Sequence, residues 1–116
     1  MAYVISLWAA PALPVAGSPD SFPVRRIFCV GRNYAEHQKE MGGDGREQPF
    51  FFLKSEFALV PRGGTVHYPA KTSNYHYETE LVVALAKGGR RIDAKRANDH
   101  VYGYAVGLDI DRKSVV

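Results

Sequence analysis

His76-Tyr77-Glu78-Thr79-Glu80 carries the densest chemical content of this 116-residue chain. In an extended strand, side chains two residues apart share a face, so His76, Glu78 and Glu80 project together. Two neighbouring carboxylates repel one another, and keeping both ionised is costly unless a cation lies between them. The chain turns apolar immediately afterwards, in Leu81-Val82-Val83-Ala84-Leu85, which sets the acids at the mouth of a buried strand. A hard, oxygen-seeking ion such as Mg2+, which keeps several waters and takes few protein carboxylates, suits that position. The same pattern also fits a solvated strand edge with two outward glutamates. Asp109, within Val106-Gly107-Leu108-Asp109-Ile110, is the natural third ligand, because an acid in an apolar stretch must be paired or coordinated if it is buried. A strand-end aspartate facing water is the alternative. Asp111 competes for the same role, since two positions further on it points to the same face of a regular strand.

His37 and Glu40 form a second constellation. Three apart on a helix, they face the same way, and a carboxylate beside an imidazole orients it and raises its basicity. That is the arrangement a general base needs in order to activate water, although a surface His–Glu pair has the same spacing. Arg32 and Lys54 each follow a strand-like segment, and either cation suits a substrate carboxylate. His67 and His100 have no such partner in the sequence and are expected to be structural or solvated. Cys29, the single cysteine, sits in the apolar run Ile27-Phe28-Cys29-Val30 and is expected to be a buried structural thiol.

The elements that must position these residues are short. Residues 1–24 hold four of the seven prolines, with Gly17-Ser18-Pro19-Asp20 as a turn, and are expected to form an extended arm. A strand over Arg25 to Val30 ends at Gly31. A helix is expected over Tyr34 to Met41, with Asn33 as its N-cap and Gly42-Gly43 as its stop. Further strands are expected over Phe50 to Leu53, Tyr75 to Leu85 and Val101 to Ile110, with one or two helical turns over Ala94 to Asp99 and a turn at Pro61 to Gly64. The pattern predicts a β-rich α+β domain over residues 25–116, following the arm. Six residues after Ile110 the chain ends, and nothing in the pattern supplies a closing element.

An apolar fraction of 46% is enough to furnish a core, and a net charge of +3 spread along the chain argues against a nucleic-acid surface. One cysteine cannot form an internal disulfide, which fits a reducing compartment. The apolar stretch from Tyr3 to Leu13 lacks the basic flank of a signal peptide and is interrupted by Pro11. No segment approaches the about 20 apolar residues that span a bilayer. A cytoplasmic protein without a membrane or nucleic-acid partner is expected.

Four segments in order resemble the fumarylacetoacetate hydrolase family. They are Arg26-Ile27-Phe28-Cys29-Val30-Gly31-Arg32-Asn33-Tyr34-Ala35-Glu36-His37, Phe51-Phe52-Leu53-Lys54, His76-Tyr77-Glu78-Thr79-Glu80-Leu81, and Tyr102-Gly103-Tyr104-Ala105-Val106-Gly107-Leu108-Asp109. The arm and its lead-in Phe22-Pro23-Val24-Arg25-Arg26 are most similar to the fumarylpyruvate-cleaving branch. The continuation after Lys54, Ser55-Glu56-Phe57, departs from the family's proline and small residue. The resemblance implies a mixed β-sandwich or roll with short helices, of which this chain would be the N-terminal half. It implies that Glu78, Glu80 and Asp109 bind Mg2+ or Mn2+, and that His37 and Glu40 are the catalytic, water-activating dyad. The substrate-binding role would fall to Arg32 and Lys54. The implied activity is hydrolysis of the C–C bond of a small-molecule 2,4-diketo acid, fumarylpyruvate giving fumarate and pyruvate, in a full-length homodimer. Two other readings remain at this point: oxaloacetate decarboxylation or hydroxymuconate-type isomerisation at the same site, and, in a different class, a non-catalytic fragment or association module.

Overall fold

The computed structural model describes residues 2–31, 48–61, 63–66 and 75–112, with the backbone alone for 75, 76, 111 and 112. The predicted helix over Tyr34 to Met41 lies outside the described residues. The chain divides into two compact units, Met1–Val66 and His67–Val116.

In the first unit, strands β1 (Ala12–Pro14) and β2 (Ser21–Pro23) pair antiparallel, Leu13 opposite Phe22. The proline-rich arm is therefore extended in conformation but doubles back on itself. Gly17 makes the reversal possible by taking φ +76°, a region that a Cβ disfavours. The Ser18 N–H donates to the Val15 carbonyl at 3.2 Å, and the Asp20 N–H donates to the Ser18 Oγ at 3.0 Å. Just after β2, the Val24 N–H donates to the Pro11 carbonyl at 2.8 Å, and Val24 is the one buried apolar side chain among the described residues.

Strand β3 (Ile27–Gly31) pairs antiparallel with β4 (Phe50–Lys54), Cys29 opposite Phe52 and Ile27 opposite Lys54. Phe50 and Phe52, two apart, share a face with their ring centroids 6.1 Å apart and tilted by 34°. Gly31 permits this, because a Cβ there would come within 2.6 Å of Phe50 Cε1. Cys29 is half-buried rather than buried. The sheet around it has two strands among the described residues, too few to enclose a side chain. After β4 a 3-10 turn over Glu56–Ala58 is capped by Ser55, whose Oγ accepts from the Phe57 N–H at 3.1 Å.

The second unit is built on a long hairpin, β5 (Tyr75–Leu85) against β6 (Val101–Arg112). Apolar β-branched and aromatic residues on alternate positions favour this pairing, and the register runs from Tyr75 opposite Arg112 to Ala84 opposite Gly103, with a bulge between Ala84 and Leu85. The connection is closed at its base by the Ala86 N–H donating to the His100 carbonyl at 2.8 Å. The His100 ring adds a bond from Nδ1 to the Lys87 carbonyl at 3.1 Å, which makes this histidine a structural clasp. Within the connection Arg91 takes φ +51°, and Ala94–His100 forms a 3-10 helix beginning after Asp93.

Every pairing among the described residues is antiparallel, in three two-stranded sheets. The strand-rich α+β class expected from the pattern is the one observed. No described helix is long and apolar enough to cross a membrane.

Candidate metal centre

The β5–β6 register decides where the acids stand. Glu78 is directly opposite Asp109, and Glu80 is opposite Gly107. Directly opposed residues of an antiparallel pair share a face, with Cβ atoms about 4.5–5.5 Å apart and diagonal neighbours about 7–8 Å apart. Glu80 follows Glu78 on that face after roughly 6.7 Å. Three carboxylates therefore occupy the corners of a small triangle on one side of one hairpin. Asp111 pairs with His76 and stands four positions along β6 from Gly107, the partner of Glu80. That is about 13 Å away, so the register favours Asp109 over Asp111 as the third acid.

Glu78 is exposed, whereas Glu80 and Asp109 are half-buried and neither lacks a partner. The side chains do not themselves close on one point: among the described residues, no three His, Cys, Asp or Glu side chains form a group able to hold a metal. Like charges on one face repel, and only an opposite charge between them offsets this. The fit to a divalent cation thus rests on the donor set, three hard carboxylate oxygens donors on a fixed backbone triangle, which is the chemistry that Mg2+ and Mn2+ prefer.

Gly107 is a supporting residue that sequence reasoning passed over. It faces Glu80 across the sheet, and a Cβ there would come within 2.9 Å of Val82 Cγ2. Val82 is β-branched and stiff at χ1, so it cannot swing aside cheaply. A glycine inside a strand pattern was the available signal. Gly103, by contrast, has nothing within 4 Å of its Cβ position. Gly107→Ala is expected to lower the stability of the unit by about 1–3 kcal/mol through overpacking, while Gly103→Ala leaves it unchanged or raises it by about 0.5–1 kcal/mol. Urea midpoints of the two variants check this, and equal midpoints would contradict it.

Lys54 ends β4 in the first unit, half-buried and engaged with a partner. Arg32, His37 and Glu40 lie outside the described residues.

Residues 26–115 match the family described as fumarylacetoacetate (FAA) hydrolase C-terminal. The crystal structure of fumarylpyruvate hydrolase from Pseudomonas aeruginosa, in complex with Mn2+ and pyruvate, is similar with a TM-score of 0.85 at 52% identity. That similarity covers 94% of this chain and 49% of the Pseudomonas chain. A fumarylpyruvate hydrolase of Ralstonia sp is 52% identical over 69 residues, covering 60% of this chain and 36% of that protein. A mitochondrial oxaloacetate decarboxylase of Dictyostelium discoideum is 43% identical over 95 residues, covering 78% of this chain and 44% of that protein. The chain belongs to the fumarylacetoacetate hydrolase family and has the family's strand-rich fold. It spans less than half the length of each of these relatives.

Proposed function

We propose that this chain carries the metal-binding part of a divalent-cation-dependent hydrolase that cleaves the C–C bond of a 2,4-diketo acid of the fumarylpyruvate type. The observation that carries the reading is the register that sets Asp109 opposite Glu78 on the face that Glu80 shares. The Pseudomonas relative, which holds Mn2+ and pyruvate, supports it.

In this reading Glu78, Glu80 and Asp109 hold Mg2+ or Mn2+. When bound, the ion supplies a Lewis acid for the 2-keto oxygen and a positive charge where negative charge develops during cleavage. Glu40 orients His37, and His37 takes a proton from water as its oxygen bonds to the distal acyl carbon. The C–C bond then breaks, its electron pair passing to the methylene carbon of the pyruvate fragment, which takes up a proton. The products are a carboxylate and pyruvate, fumarate being the carboxylate when the substrate is fumarylpyruvate. Arg32 and Lys54 receive the substrate's carboxylates as charge-assisted hydrogen-bond donors. The reading places the activity in the cytoplasm, in keeping with a single cysteine, and in a homodimer of the full-length protein.

A second reading, oxaloacetate decarboxylation or tautomerisation, is favoured by the Dictyostelium decarboxylase and by an oxaloacetate tautomerase of Bos taurus that is 43% identical over 91 residues. Product analysis with Mn2+ separates the two. Fumarylpyruvate consumed with stoichiometric fumarate and pyruvate is the expected result. Carbon dioxide and pyruvate from oxaloacetate, with fumarylpyruvate untouched, would establish the second reading instead.

A further inference from the structure

The connection between β5 and β6, residues 86–100, holds a charge imbalance that the rest of the chain does not share. Lysine and arginine occur along the whole sequence, but their excess over the acids is local. Residues 86–100 carry five basic side chains, Lys87, Arg90, Arg91, Lys95 and Arg96, against the two acids Asp93 and Asp99. That excess of three equals the net charge of +3 of the whole chain, and the other ten basic residues are matched by ten acids. All five cations are exposed. Arg96 Nη1 lies 3.9 Å from Asp99 Oδ2, while Lys87, Arg90, Arg91 and Lys95 form no ion pair with a described residue. The backbone beneath them is held by its own bonds. His100 closes the base of the connection, and the Arg96 N–H donates to the Asp93 carbonyl at 2.8 Å. Gly89 is packed over, since a Cβ there would come within 2.8 Å of Ile92 Cδ1 and 3.1 Å of His100 Cε1. Arg91, at φ +51°, is the one non-glycine residue with positive φ among the described residues. That conformation is costly for a long side chain and accessible to glycine or asparagine, and strain of this kind gathers at functional positions. Leu85, where the connection starts, stands about 17 Å along β5 from Glu80. This is about twice the Debye length of about 8 Å at physiological salt, so the cations act apart from the carboxylate face.

We propose that this connection is a docking surface for an acidic polypeptide segment of a partner protein. Cations carried on a backbone that is already held lose less freedom on binding than cations on a loose loop. Three of the five are arginines, whose planar guanidinium receives a carboxylate through two parallel N–H donors. Asp93 and Asp99 lie among the cations and repel the unbroken phosphate row of a nucleic acid. An acidic peptide carries its charges on separate residues, so it can set a neutral or basic side chain opposite each aspartate. Single-stranded nucleic acid also calls for aromatic stacking platforms, and residues 86–100 contain no Phe, Tyr or Trp. A lipid surface calls for apolar side chains that insert beside the cations, and Ile92, the one large apolar residue of the connection, packs over Gly89.

The test is fluorescence anisotropy of fluorescein-labelled octaglutamate titrated with this chain in EDTA, at low and at physiological salt. Saturable binding that weakens as salt rises is expected. Arg90→Gln combined with Arg91→Asn should lower the affinity by about five- to tenfold, through loss of two exposed charge pairs. Asparagine tolerates the left-handed backbone, so the urea midpoint of that variant should hold or rise while binding falls, which separates a lost contact from a lost fold. Arg90→Lys combined with Arg91→Lys, which keeps both charges, should retain most of the binding. Arg25→Gln combined with Arg26→Gln, in the first unit, should leave it within about twofold of wild type. No saturable binding would overturn the proposal, as would binding indifferent to the substitutions at Arg90 and Arg91. So would tighter binding to an oligothymidylate of equal charge or to phosphatidylserine vesicles, which would make the partner a nucleic acid or a membrane. Because EDTA removes divalent cations and no turnover is read, the outcome is independent of the metal reading.

Discussion

Glu78→Gln is expected to weaken Mn2+ binding to this chain by at least about 100-fold, since outer-shell residues that merely orient metal ligands already cost 10–100-fold when removed. The substitution keeps the shape of the side chain and removes its charge. Glu78 is exposed, so the fold has little at stake, and a stability change within about 0.5 kcal/mol is expected. The combination is diagnostic. A carboxylate that only solvates a strand edge would give no change in either quantity. One that serves as a ligand changes affinity and leaves the apo protein alone. Isothermal titration of Mn2+ into wild-type and variant protein, with urea unfolding of both in EDTA, reads the two quantities separately. Asp109→Asn should behave in the same direction, with Asp111→Asn as its comparison. The register puts Asp109, not Asp111, beside both glutamates, so Asp111→Asn should leave affinity nearly unchanged. Reversal of that order would move the third ligand two residues along β6.

The second large effect belongs to His37. If it takes the proton from the attacking water, His37→Ala should lower turnover by about 10²–10⁴-fold, the usual range for a positioned acid–base group. Mn2+ affinity should stay within error of wild type, because no metal-ligand role is assigned to His37. Glu40→Gln should follow it in direction with a smaller loss, acting through the imidazole rather than on water. A variant that loses turnover and metal together would instead make His37 part of the ion's coordination.

Much of the fold was legible because β5 is written in two alphabets. His76, Glu78 and Glu80 alternate with Tyr77, Thr79 and Leu81, and only a period of two sorts ionisable from uncharged residues in that way. The strand ends before Gly88-Gly89, and its partner β6 alternates apolar and small residues from Val101 onward, so both strands could be bounded from composition. The register could not. Nothing local counts pairs across a connection as long as the one from Ala86 to His100, and the bulge at Ala84/Leu85 shifts the count again. The residues alone left Asp111 competing with Asp109, the family resemblance pointed to Asp109, and the pairing sets Asp109 opposite Glu78. The closure of the N-terminal arm was not legible either. Its prolines forecast extended backbone, but the antiparallel closure depends on single bonds such as Val24 N–H to Pro11, which leave no mark in the sequence. Cys29 was expected to be buried because its neighbours are apolar, and it is half-buried because burial needs a covering layer as well as an apolar strand. The dyad of His37 and Glu40 rests on spacing and family resemblance.

The central claim is that Glu78, Glu80 and Asp109 form one divalent-cation site, and thermal unfolding of this chain during Mn2+ titration, with EDTA as control, tests it most directly. A ligand that binds only the folded state stabilises it by about 2.7 kcal/mol at a hundredfold excess over its dissociation constant. The account predicts a cooperative transition that climbs with Mn2+, falls back in EDTA, and stays flat in Glu78→Gln. A transition indifferent to Mn2+ in the wild-type chain would contradict it.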